Sequence, residues 1–202
     1  CALPISGSLR PALAAAAAQP GPDTVTIRSG VGEIALLSPI RFTAGGDLTI
    51  HGNGATINAR EAGGAVIITG GRGGLSIDHL TFAAADNATA NAGALVMVGT
   101  VGDLLLSDCA FSGNLASPAP VPRARGGALI KRGGGTTLIN RCRFTGNVSS
   151  GPGNTIIGGA IVVEDGPLTI VDSDVSGNIG SALGDSRVAG ADRKSTRLNS
   201  SH

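Results

Sequence analysis

The sequence has no tryptophan and no tyrosine, one methionine and four phenylalanines. Clefts that grip sugars usually present aromatic platforms, and so few rings leave little to build one from. The three cysteines, Cys1, Cys109 and Cys142, form no CxxC or CxxxH pattern, so neither a metal site nor a cofactor is indicated. No apolar run approaches the roughly 18–20 residues that a helix needs to span a bilayer. What the chain does have is 33 Gly, 10 Pro and 42% hydrophobic residues, mainly Val, Ile, Leu and Ala. That combination suits one domain built from sheets or a solenoid and does not suit a helical bundle.

Asp192–His202 (DRKSTRLNSSH) back-translates without a gap into a widely used short-read sequencing adapter, so 191–202 is set aside as an artefactual tail. Without Asp192, Arg193, Lys194 and Arg197 the balance is 12 basic against 13 acidic residues, and the net charge moves from +1 to −1. The general case for nucleic acid or a membrane surface as partner goes with it. With Cys1 in the first position, both ends read as those of a fragment. Leu9–Pro20 (LRPALAAAAAQP) suits either the end of a signal peptide or an Ala-rich helix capping a solenoid, and both readings fit an exported protein. The expected organisation is an N-terminal cap or export-signal remnant over 1–22, a repeat region over 23–190 and the tail.

Internal periodicity carries the fold. Gly-Ala followed by an aliphatic residue recurs at Gly64-Ala65-Val66, Gly93-Ala94-Leu95, Gly127-Ala128-Leu129 and Gly159-Ala160-Ile161, with steps of 29, 34 and 32 residues. In phase with it, Leu-x-Ile and Cys-x-Phe segments end at Phe82, Phe111, Phe144 and Val175, and three residues later stand Asn114, Asn147 and Asn178. Each short segment alternates, so one face of each strand is apolar, and stacking equivalent strands about 4.8 Å apart buries those faces as columns. Ile77, Leu106, Ile139 and Ile170 are expected in one column and Phe82, Phe111, Phe144 and Val175 in another. A leucine-rich, ankyrin or tetratricopeptide array would need a helical stretch in each unit, and the connectors here are Gly, Ser, Pro and Asn. The expected fold is all-β, a right-handed parallel β-helix with a short N-terminal capping helix.

Gly126-Gly127-Ala128-Leu129 with Phe144-Thr145-Gly146-Asn147 resembles the GGA(I/L/V) and FxxN repeats of polymorphic outer membrane proteins. The front end, Ser8-Leu9-Arg10-Pro11-Ala12 through Ile27, is similar to the CSLREA-type domain of bacterial surface β-helix proteins. The resemblance implies the pectate-lyase-like superfamily fold and an extracellular or outer-cell-surface location.

The residues that bear chemistry have a structural reading beside each functional one. Cys109 and Cys142 fall at equivalent interior positions on consecutive units and are expected to be buried free thiols. Asn114, Asn147 and Asn178 are expected to stack as an amide ladder. His79, Asp108, Arg141 and Asp172 precede the Phe or Val by three and should form an outer column of alternating sign. Between Cys109 and Val163 there is no acid, whereas Arg123, Arg125, Lys131, Arg132, Arg141 and Arg143 are all basic. Those six are the candidate ligand-binding residues, and an anionic polysaccharide or host-cell glycan is the partner such a patch implies. The leading expectation is a non-catalytic, adhesin-like surface scaffold. The alternative is a polysaccharide lyase or glycoside hydrolase, for which Asp172, Asp174 and Arg141 are the catalytic candidates.

Overall fold

The computed structural model describes residues 2–3, 8–18, 21–60, 62, 66–71, 73–87, 93–99, 101–116, 123–151, 155–182 and 187–189. The chain is a parallel β-solenoid with one short helix near its N-terminus. Its first sheet stacks Ala2–Leu3, Asp23–Thr26, Leu48–His51, Leu75–Asp78, Leu104–Ser107, Thr137–Asn140 and Leu168–Val171 in that order. The second stacks Glu33–Ala35, Thr56–Asn58, Thr81–Ala83, Ala110–Ser112, Arg143–Thr145 and Asp174–Ser176. The third stacks Ile40–Ala44, Val66–Gly71, Leu95–Val98, Leu129–Arg132 and Ile161–Glu164. Among the described residues there are two shorter parallel sheets, one through Asp86–Asn87, Leu115–Ala116, Val148–Gly151 and Ile179–Ala182 and one through Arg123–Arg125, Thr155–Ile157 and Arg187–Ala189.

Register confirms the columns read from sequence and extends them. Val25, Ile50, Ile77, Leu106, Ile139 and Ile170 are successive partners in the first sheet. Ile34, Ile57, Phe82, Phe111, Phe144 and Val175 are partners in the second. The three Phe rings are fully buried and stacked face to face, with centroids 4.9 and 4.6 Å apart and planes within 13° and 3°. This near-parallel overlap follows from translation along the solenoid axis, which repeats one rotamer at one spacing.

The helix, Leu9–Ala18, packs Leu9, Ala12, Leu13 and Ala16 into the same core, against the first coil. Ser8 stands at the favoured N-cap position and Pro11 in the first turn, where its missing N–H costs least. Arg10 ties the helix down by donating to the carbonyls of Pro39 and Ser38 at 2.8 and 2.5 Å. Leu9–Ala18 therefore belongs to the folded solenoid.

One column escaped the sequence reading. The corner from the third sheet to the first carries Gly21, Gly46, Gly73, Gly102, Gly135 and Gly166, spaced by 25, 27, 29, 33 and 31 residues, the same steps as the first-sheet register. A Cβ on Gly46, Gly73, Gly102, Gly135 or Gly166 would fall 2.0, 1.8, 2.1, 2.5 or 2.2 Å from the carbonyl oxygen of the glycine one coil earlier. No side chain fits where backbones pass that closely. A Gly102→Ala substitution is therefore expected to destabilise the fold by about 1–3 kcal/mol or more, as for other overpacked sites. Gly32→Ala, where a Cβ would meet nothing within 4 Å, is expected to stay within about 0.5 kcal/mol of the parent. Urea unfolding of the two variants tests this, and equal midpoints would refute the close-approach assignment.

Candidate functional site

Between the first and second sheets the chain turns on one left-handed residue per coil: His79, Asp108, Arg141 and Asp172, with φ of 48°, 54°, 50° and 46°. Asp and His tolerate this conformation better than most residues. Arg141 donates from Nε and Nη2 to the two Asp108 oxygens at 2.8 and 2.7 Å. Its guanidinium holds the Asp108 carboxyl below the usual carboxylate range, and Asp108 in turn raises the pKa of Arg141, with Asp172 adding its field. The column does not simply alternate in pairing, because His79 turns sideways to Asp78 at 3.1 Å. His51 reaches the other oxygen of Asp78 at 2.6 Å, so two imidazoles share one carboxylate.

The residue after each bend solves a backbone problem. The Cys109 N–H is directed at Cys142 Sγ at 3.4 Å, and the Cys142 N–H at Ser173 Oγ at 2.9 Å. The three side chains donate back to the carbonyls of Ser107, Asn140 and Val171 at 3.3, 3.3 and 2.7 Å. Both thiols are free and buried, and contact with Cys142, aided by burial, pushes the Cys109 thiol well up, away from the reactive thiolate.

At the next bend Gly113, Gly146 and Gly177 take φ near 60°, and the Asn that follows each is buried. Asn114 Nδ2 donates to Asn147 Oδ1 and to the Phe82 carbonyl at 2.8 and 3.1 Å. Asn147 Nδ2 repeats this with Asn178 Oδ1 and the Phe111 carbonyl at 2.8 and 3.0 Å. Each Oδ1 also accepts a main-chain N–H from the coil before it: Ala85, Asn114 and Asn147, at 3.0, 3.2 and 2.9 Å. The Gly-Ala repeat belongs to the same corner, since a Cβ on Gly93 would fall 3.3 Å from Asn114 Cβ and one on Gly127 2.7 Å from Val148 N.

The five basic candidates whose side chains are described do not form one patch. Arg141 sits at the first bend with Asp108, and Arg143 lies on the second sheet in register with Asp174. The Arg123 side chain lies outside the described residues. Arg125 and Arg132 converge on the outer side of the third sheet, where both meet Glu164; Arg132 Nε lies 3.0 Å from Glu164 Oε2. Glu164 is the register partner of Arg132 one coil on, immediately past the acid-free stretch, and comparing strands across coils exposes it.

Lys131, expected at the surface, is instead fully buried. Strand alternation explains the correction: Lys131 lies two residues after inward Leu129, in register with Met97. Its ammonium donates to the Gly134 carbonyl at 2.5 Å, with those of Gly133 and Gly135 at 3.5 Å. Burial lowers its pKa, partly opposed by Asp103.

The catalytic candidates Asp172 and Asp174 are both exposed, one at the bend and one in the following strand. An open groove along the first sheet is lined by Asp47, Thr49, Ser76, Asp103 and Leu105. Its carboxylates are bound to backbone: Asp47 accepts the Gly74 N–H and Asp103 the Thr136 N–H, each at 2.7 Å. Hydrogen bonds from Thr136, main chain first and side chain second, hold the Asp103 carboxyl below the usual range, the wrong direction for a general acid. Among the described residues no group of three His, Cys, Asp or Glu side chains is placed to hold a metal ion, and no helix is long and apolar enough to cross a membrane. No family model, curated protein or solved structure matches the chain.

The buried Lys131 makes stability depend on pH in one direction. Because its folded-state pKa is depressed, the unfolded chain binds more protons in the interval below the ordinary lysine pKa of about 10.4, and stability rises with pH there. Lys131→Met, matching Met97 in the column, is expected to be neutral to about 2 kcal/mol more stable at pH 7. Its advantage should shrink as pH rises through that interval. Denaturation of both proteins between pH 7 and pH 10.5 checks this; a large loss of stability independent of pH would contradict it.

Proposed function

We propose that this chain is a non-catalytic scaffold of a secreted or cell-surface protein, adhesin-like, that displays loops and makes weak contacts with anionic glycans. The reading draws on the Gly-Gly-Ala and Phe-x-x-Asn repeats that resemble those of polymorphic outer membrane proteins and on the CSLREA-like front end. One observation carries it: polar side chains at the corners and in the groove are engaged in holding coil to coil. The Asn114–Asn147–Asn178 amides saturate one another and the backbone, Asp47 and Asp103 cap backbone amides, and Asp108 holds Arg141. Acid and base roles require groups poised to change protonation, and strong hydrogen bonding to the ionised carboxylate works against that.

The enzyme alternative has Asp172, Asp174 and Arg141 as its catalytic set. Co-sedimentation with polygalacturonate separates the two readings. The scaffold predicts retention at low salt that is lost as the Debye length falls from about 10 Å at 0.1 M to about 3 Å at 1 M, with no unsaturated product and no new reducing ends. Sustained cleavage, abolished by Asp172→Ala in a folded protein, would establish the enzyme.

A further inference from the structure

The site on the outer side of the third sheet has an imbalance of charge and donors. Arg125, from the strand Arg123–Arg125, and Arg132, from the third sheet itself, both reach Glu164, giving two cations to one anion. A carboxylate offers about four acceptor positions, fewer than two guanidiniums have N–H donors. The shortfall is visible: Arg125 Nε is buried with no hydrogen-bond partner, and Arg132 Nε lies near Glu164 without the alignment of a hydrogen bond. Orphaned buried donors on a charged group are costly, and an added acceptor would relieve them.

The setting favours an anion. The Arg125 side chain is 12% exposed and that of Arg132 29%, so the pair is partly withdrawn from water while remaining reachable. The residues on the same outer face, Val96, Ile130 and Val162, form a buried apolar cluster. A charge beside such a cluster is screened less than on an open surface. Guanidinium forks match the planar, two-oxygen geometry of a carboxylate.

We propose that Arg125 and Arg132 form a receptor for a single planar carboxylate, that of a uronate residue, and that Glu164 competes for the same donors and limits its affinity. The inference rests on the anionic-glycan reading above and gives it a location. Arginine Nε–H resonances report it directly, with sodium glucuronate as the probe and glucose and sodium sulfate beside it. Glucuronate should shift the Nε–H signals of Arg125 and Arg132, glucose should leave them in place, and sulfate should act more weakly. Glu164→Gln, which keeps the side-chain shape, should tighten glucuronate binding by roughly tenfold, since one competing charge is removed. An Arg125→Gln, Arg132→Gln double variant, checked for an unchanged far-ultraviolet spectrum, should lose the response.

No shift in either the parent or Glu164→Gln, or weaker binding in Glu164→Gln, would overturn the receptor. Polygalacturonate retention undiminished in the double variant would also overturn it while leaving the scaffold reading intact. Glucuronate shifts with no retention of the polymer would uphold the receptor and sink the polymer-binding part of that reading.

Discussion

A parallel coil placed directly on its predecessor makes every residue a neighbour of its own equivalent, at the spacing of adjacent strands. Within a strand this is easily satisfied, because each main-chain N–H finds a carbonyl one coil away. At a corner the chain turns, the ladder is interrupted, and the N–H groups need another acceptor. Here the acceptor is a side chain from an adjacent coil: from the next coil, Cys142 and Ser173 at the first bend and Asn114, Asn147 and Asn178 at the second, and from the preceding coil, Asp47 and Asp103 ahead of the first sheet. The corners, more than the strands, decide which residues must recur.

That constraint accounts for several otherwise odd choices. Cysteine and serine both serve at one position because a thiol and a hydroxyl can each accept from the preceding coil and donate to their own chain. The amide ladder begins at Asn114 because the coil before it has Ala84-Ala85 where later coils have Gly-Asn, and the Ala85 N–H closes the end. Glycine recurs where two backbones nearly touch. A lysine is tolerated in the core column next to Met97 because its ammonium reaches the carbonyls of the following Gly133–Gly135 segment.

Much of this was legible in the sequence, for a physical reason. Stacking repeats the same environment, so Phe82, Phe111, Phe144 and the three Asn announce themselves by position. The glycine column was present with the full coil spacing but lay hidden among 33 glycines, where no single one stands out. The basic patch misled because it was counted along the chain, whereas charge in a solenoid is balanced across coils. Glu164 faces Arg132 in register and also holds Arg125, and Lys131 follows the inward parity of Leu129. His51 and Asp78 were equally out of sight until register placed them side by side.

If corners and strands form one continuous hydrogen-bonded framework, amide exchange distinguishes this from strands joined by ordinary loops. The amide hydrogens of Ala85, Asn114 and Asn147, whose acceptors are Asn side chains, should exchange with protection comparable to strand amides such as those of Phe111 and Ile139. Native-state hydrogen exchange read by NMR measures this directly. Comparable protection supports the corner ladder as the constraint on which the fold depends, and rapid, loop-like exchange at those three amides beside protected strands would contradict it.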